Sequence, residues 1–269
     1  MARDDLPAAI DLRTERQVEP LGLDEPRPRL SWRVRLGPAA TQQSAATVEV
    51  ATHPTFAPDA IAWSDETTAG SRTTIDYDGP PVGSRQQRFW RVRLTDDRGR
   101  SGPWSEPASW EMGLLEPADW RARWIGWIDP TLPSWSSRSP LLRRAFRLPA
   151  MPRRARAYVT ALGFVELRIN GTAVGDDRMA PGWTDYHQRI QYRTADVAGL
   201  LRPGDNVIGA RLGRGWWAGE VASFGAEQYG DVPALLAQLE IELADGGTVV
   251  VATDSSWRAN AGPLVSDDP

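Results

Sequence analysis

The residues best suited to chemistry lie between Leu162 and Leu243. Trp183, Tyr186, Trp216, Trp217, Phe224 and Tyr229 fall in or beside Gly-rich polar turns, interleaved with Asp185, Arg214, Glu220, Gln228 and Asp231. An aromatic ring packs on the C–H face of a sugar, and carboxylate or guanidinium groups pair with its hydroxyls. The candidate carbohydrate-binding residues are therefore Trp183, Asp185, Tyr186, Arg214, Trp216, Trp217, Tyr229 and Asp231. The plainer reading of the same aromatics is that Trp183 and Trp216 cap a core. Trp216 and Trp217 are adjacent, so a strand there would turn one inward and leave the other as a platform.

Other chemistries have less to work with. The chain has no cysteine, which removes thiolate nucleophiles, thiolate metal sites and disulfides. Its two histidines, His53 and His187, have no triad or zinc motif around them and read as incidental. No GxGxxG or Walker sequence is present. Asp and Glu number 35, so pairs abound, but spacing cannot place two carboxylates across a scissile bond. Asp176 and Asp177 are adjacent, and diverging neighbours suit a loop cation site better than an acid/base pair. A solvated turn is the plainer account of them.

These residues need a scaffold. Hydrophobic residues at 41% and charged residues at 25% fit globular cores in a chain of one or two domains. A net charge of -4, with basic residues alternating along strand-like runs, argues against a nucleic-acid partner. No apolar run approaches the roughly 18–20 residues that span a bilayer. The first residues, MARDDLPAAIDLRTE, lack an apolar signal segment, so the expectation is a cytoplasmic chain, with secretion left open. Thirteen tryptophans are many for this length, and most should pack in cores or interfaces.

Period-2 alternation dominates. Leu30, Trp32, Val34 and Leu36 alternate with Ser31, Arg33 and Arg35; Val48 and Val50 flank Glu49; Trp90, Val92 and Leu94 alternate with arginines. Turn signals and a closing strand near Trp110 complete a sandwich of roughly 100 residues. Gly113 to Asp119 reads as a boundary, giving domains 1–116 and 117–269, with Trp120, Trp124 and Trp127 packing near the junction. Thr131 to Pro140 reads as a Ser/Pro-rich loop. Strands are then predicted around Leu142–Leu148, Ala155–Val159, Val165–Ile169, Ile190–Tyr192, Ile208–Leu212, Ala237–Leu243 and Thr248–Val251. Asn170–Gly171 is a type I′ hairpin signal, and Asp196 to Leu201 reads as one helical turn. The fold class is all-β: a fibronectin type III-like sandwich followed by a jelly-roll β-sandwich.

At this point the chain resembles a known family. ELRINGTAVGDDRMAPGWTDYHQRIQYRTADV, LLRPGDNVIGARLGRGWWAG and YGDVPALLAQLEIE resemble the N-terminal β-sandwich module of bacterial alpha-L-rhamnosidases. EPLGLDEPRPRLSWRV (Glu19–Val34), RQQRFWRVRLTDDRGRSGPWSEPASWEMGLL (Arg85–Leu115) and WRARWIGW (Trp120–Trp127) are similar to the fibronectin-like domain before it and its junction. The resemblance implies inverting glycosidases of terminal alpha-L-rhamnosides, with catalysis in a helical barrel further along. No catalytic carboxylate maps onto this chain, so whether it is an enzyme by itself stays open. The implied partners are a rhamnose-containing glycan and that barrel. The implied role is to position or recognise carbohydrate; the alternative is a structural module that docks on the barrel and stabilises it. No cofactor is required. In some relatives a calcium ion bridges protein and sugar through an acidic–Asn pair near the hairpin. Here that pair reads Ile169–Asn170, so Asn170 matches and the acid does not. Asn170, Asp176 and Asp177 are the candidate calcium ligands. The resemblance also implies further strand sequence after the GPLVSD-like segment, which would leave an open edge on the second sandwich.

Overall fold

The computed structural model describes residues 6–37, 40, 42–68, 70, 72–128 and 139–264. Most of the Ser/Pro-rich stretch expected at Thr131–Pro140 lies outside them. The chain divides into two compact units, Met1–Asp119 and Trp120–Pro269.

The first unit holds β1 (Ala8–Thr14), β2 (Leu21–Leu23), β3 (Arg29–Arg35), β4 (Gln43–Ala51), β5 (Ile61–Thr67), β6 (Thr74–Asp76), β7 (Gln87–Asp96), β8 (Ser101–Trp104) and β9 (Ala108–Met112). One sheet runs β1-β3-β6 and the other β2-β9-β7-β4-β5, with β8 also on β7. This is an immunoglobulin-like sandwich. Its core is aromatic: Trp90 and Trp110 are fully buried, and Tyr77 and Trp32 nearly so. Buried rings with polar atoms need partners. The Trp90 indole N–H donates to Thr14 Oγ1 at 3.1 Å, and that of Trp32 to Gln43 Oε1 at 3.2 Å. The Tyr77 hydroxyl donates to the Pro80 carbonyl at 2.8 Å. Near the end of the unit, Asp119 accepts from Ser84 and Arg85. Burial pulls its carboxyl upward, but hydrogen bonds from Ser84, Arg85 and the Glu116 amide outweigh that and hold it at about 2.

The second unit holds β10 (Ile125–Gly126), β11 (Pro140–Leu148), β12 (Pro152–Leu162), β13 (Phe164–Ile169), β14 (Thr172–Ala173), β15 (Arg193–Asp196), β16 (Gly204–Gly213), α1 (Gly215–Ala218), β17 (Ala234–Leu243), β18 (Thr248–Ala252) and β19 (Arg258–Ala261). One sheet is ordered β10-β17-β12-β15, with β18 also on β17, and the other β14-β13-β16-β11-β19. Every pairing in this unit is antiparallel. The two inner faces meet in an aliphatic core that includes Ala157, Val159, Leu167, Ile169, Ile208, Leu212, Leu239 and Ile241. The Asn170–Gly171 turn has φ of 51° and 88°, the two positive values a type I′ hairpin needs.

Three local readings are corrected. Ile190 and Tyr192 are not in a strand; pairing starts at Arg193. Tyr192 is apolar in its surroundings because it packs edge-on against Trp120 at 5.3 Å, not because it joins a ladder. Trp216 and Trp217 do not continue a strand but form the helical turn α1, and both are half-buried, so the one-in, one-out alternation does not apply. The helical turn expected at Asp196–Leu201 narrows to a short 3₁₀ turn at Ala198–Leu200. No helix among the described residues is long and apolar enough to cross a membrane.

Candidate functional site

The candidate residues come from two connections of the second unit. Trp183, Asp185 and Tyr186 lie between β14 and β15; Arg214, Trp216, Trp217, Tyr229 and Asp231 lie between β16 and β17. The fold gathers five of the aromatics into one cluster. Trp183 stacks on Trp216 with ring centroids 6.0 Å apart, and its indole N–H donates to the Tyr229 hydroxyl at 3.1 Å. Tyr229 stacks on Trp217 at 6.5 Å and lies 5.1 Å from Tyr186, which meets Trp217 edge-on at 5.7 Å.

Two glycines make this packing feasible. Gly215 opens α1 at φ +50°, and a Cβ there would sit 2.9 Å from the Phe164 ring. That close approach lets Phe164 support Trp216 edge-on at 5.7 Å. A Cβ on Gly230 would lie 2.3 Å from Trp217 Cζ2, so the indole rests directly on bare backbone.

The cluster has a buried half and an accessible half. Tyr186 is 5% exposed, whereas Trp183 is 52% exposed. Burial, and then the neighbouring Tyr229, pushes the Tyr186 phenol up to about 12. The Tyr186 hydroxyl and the Trp217 indole N–H are buried without a hydrogen-bond partner among the described residues. Phe224, 70% exposed, lies in the same connection as Trp217.

The polar candidates divide differently. Asp185 is engaged by its own turn, accepting from the His187 amide at 3.1 Å and from Gln188 Nε2 at 2.9 Å. Arg214 donates to the Ala218 carbonyl at 2.5 Å and lies 3.5 Å from Glu227, so it braces α1. Asp231 is exposed and makes none of the ring contacts. The sequence did not single out Phe164, and it read His187 as incidental. His187 stands 5.5 Å from the Tyr229 ring. Neither residue carries a local motif, because their neighbours come from distant segments.

The calcium candidates do not share a cage. The Asn170 amide group donates to the Leu200 carbonyl and to Asn206 Oδ1, both at 2.9 Å, and its oxygen accepts from the Val207 amide at 2.9 Å. Asp177 pairs with Arg193 at 2.7 Å. Asp176 is exposed. Among the described residues no group of three or more His, Asp or Glu side chains could hold a metal ion. The Asn170 amide is thus engaged within the fold on both its donor and its acceptor side.

Comparison with known proteins places these two units. Residues 9–116 match the model of the Rha78A-like N-terminal immunoglobulin domain, and residues 150–268 match that of the alpha-L-rhamnosidase N-terminal domain. An alpha-L-rhamnosidase of Alteromonas sp. (strain LOR) is 37% identical over 257 residues, covering 92% of this chain and 28% of that protein. One from Streptomyces avermitilis is 27% identical over 416 residues, covering 93% and 40%. That alignment is longer than this chain, so the Streptomyces protein carries inserted residues within the matched region. The crystal structure of the Streptomyces avermitilis alpha-L-rhamnosidase complexed with L-rhamnose superposes with a TM-score of 0.87 at 26% identity, covering 97% of this chain and 42% of that one. The Dictyoglumus thermophilum enzyme superposes with a TM-score of 0.85 at 30% identity, covering 96% and 30%. The chain thus spans between 28% and 42% of the length of these relatives. It belongs to the alpha-L-rhamnosidase family, of which it carries the N-terminal pair of domains.

Proposed function

We propose that this chain serves an alpha-L-rhamnosidase as an accessory region that positions or recognises carbohydrate for a catalytic helical barrel. One observation carries this reading. Trp183 presents a half-exposed indole, stacked on Trp216 and held by Tyr229, at the rim of an aromatic cluster. A rigid ring fixed from behind offers apolar area to a sugar face with little entropy left to lose. The ligand is a rhamnose-containing glycan, by analogy with the L-rhamnose complex of the Streptomyces relative.

Calorimetric titration with L-rhamnose, with and without calcium, tests the reading. Binding at millimolar sugar, weakened in Trp183→Ala by about 1–3 kcal/mol, supports it. Calcium is expected to leave the affinity unchanged, given how Asn170 is engaged. A flat titration sinks direct recognition.

A second reading is favoured by the exposed apolar side chains of Trp183 and Phe224, which a module that docks on the barrel and stabilises it would cover. Under that reading Trp183→Ala changes association with the catalytic part and leaves sugar binding absent. Turnover of a chromogenic rhamnoside by the pure chain would overturn both readings.

A further inference from the structure

The two faces of the β14-β13-β16-β11-β19 sheet differ. The inner face is aliphatic core. The outer face carries a row set by strand register: Arg168 pairs with Gly209, Gly209 with Arg143, and Arg143 with Arg258. Cross-strand partners point to the same side of a sheet. The neighbouring row, two residues along, runs Glu166, Arg211, Leu141 and Asn260. Together they line a cleft of about 550 Å³, within the usual ~300–1,000 Å³ range of small-ligand sites. The outer face of the companion sheet, by contrast, is covered by its own chain: Trp120 packs on Tyr158, and Gln238 accepts from the Arg121 and Ala122 amides.

Charge along the cleft is unbalanced. Its lining holds four arginines and one carboxylate, Glu166; further along the same face Arg147 is paired with Asp205 by register. Glu166 is committed to Arg168, with a 2.5 Å ion pair, and stands 3.9 Å from Arg211. Arg143 and Arg258 face each other across the β11–β19 ladder with no carboxylate partner among the described residues. Like charges directly opposite one another destabilise a sheet. A second cleft of about 420 Å³ is lined by the same two arginines together with Ser256. Between Arg168 and Arg143 the row is interrupted by Gly209. Its φ is not positive, and a Cβ there would meet only the Leu142 carbonyl, at 3.4 Å. Backbone geometry does not demand glycine at 209, and its missing side chain leaves a gap in the row between Arg168 and Arg143. With no bulge in the register at Gly209, close approach of another group is among the uses left for a glycine inside a strand.

We propose that this arginine row is a binding site for an anionic oligosaccharide, whose carboxylate or sulfate sits between Arg143 and Arg258 and whose ring lies over Gly209. Guanidinium groups match both anions with paired N–H donors. The choice of a sugar as the carrier rests on the carbohydrate reading above; the choice of an anion does not.

Titration of the 269-residue chain separates the possibilities, using a glucuronate-containing disaccharide, a sulfated disaccharide, a neutral disaccharide, sodium sulfate and a short poly-glutamate peptide. The expected result is binding of one or both acidic sugars that weakens with salt, with the neutral sugar at least about tenfold weaker. The Arg143→Ala, Arg258→Ala double variant should lose on the order of tenfold or more in affinity, and Gly209→Val should lose it by filling the gap. The same double variant should melt at the wild-type temperature or above it, because it relieves like-charge repulsion. A large drop in melting temperature would show that the two arginines support the fold, and would overturn the proposal. So would equal affinity for the neutral sugar, for sulfate alone or for the peptide. Trp183→Ala leaves acidic-sugar binding here intact, so failure of the aromatic site and failure of this one are distinguishable.

Discussion

The two sandwiches use aromatic residues in opposite ways. The first buries Trp90, Trp110, Tyr77 and Trp32 between its sheets and answers most of their polar atoms with hydrogen bonds. The second fills its core with Ala, Val, Leu and Ile and moves Trp183, Trp216, Trp217 and Tyr229 into connections at its rim. An aliphatic core suffices there because long strands interdigitate small side chains. The difference teaches that tryptophan abundance is not one signal. The same residue type lies at the centre of one core, and in the other unit packs at the core's margin, as Trp127 and Trp257 do, or in rim connections.

The comparison can be broken first at its largest contrast. Trp90→Ala should lose about 3–5 kcal/mol in denaturant unfolding, because it empties a fully buried site. Trp183→Ala should change stability by less than about 0.5 kcal/mol. Equal losses would erase the distinction. A smaller effect sharpens the buried half of the rim cluster. Gly230→Ala places a methyl 2.3 Å from Trp217 and should lose about 1–3 kcal/mol, with a shifted tryptophan emission. Unchanged emission would mean that Trp217 is not held as described.

The smallest expected effects are those of pH. Asp119 is held at about 2 in the folded chain against 3.8 ordinarily, so its ionised form favours folding. That contribution is present above about pH 4 and fades as pH falls towards 2; Asp119→Asn should flatten the loss in acid melts of the first unit. Tyr186, raised to about 12, shifts the other way: its contribution is full below pH 10 and is lost as pH rises through 12. Absorbance titration should show one tyrosinate fewer forming below pH 12 than in Tyr186→Phe plus free tyrosine. A normal titration of all tyrosines would place Tyr186 nearer solvent.

Much of the architecture was legible because strands half-buried on one face must alternate. The runs at Leu30–Arg35, Trp90–Leu94 and Ala237–Leu243 are such cases. Alternation misled at Ile190 and Tyr192, where side-chain packing on Trp120 imitates the pattern without a ladder. It was silent at Trp216–Trp217, since a four-residue turn is too short to show a helical period. The aromatic residues could be suspected individually, but their gathering was not readable: Trp183 and Trp216 stack although 33 positions separate their numbers. The arginine row lay further out of reach, because register across four strands decides which arginines share a face.

The amide of Asn170 has a consequence of its own. With Asn206, it ties the β13–β14 hairpin to the chain at Leu200–Gly204, donating to two oxygens and accepting from one N–H. A carboxylate at position 170 would turn both donors into acceptors facing oxygen, and so repel the groups the amide now joins. In this chain the residue proposed as an ion ligand works as a clasp, and an Asn170→Asp change would have to undo a fastening of the fold before it could create a ligand.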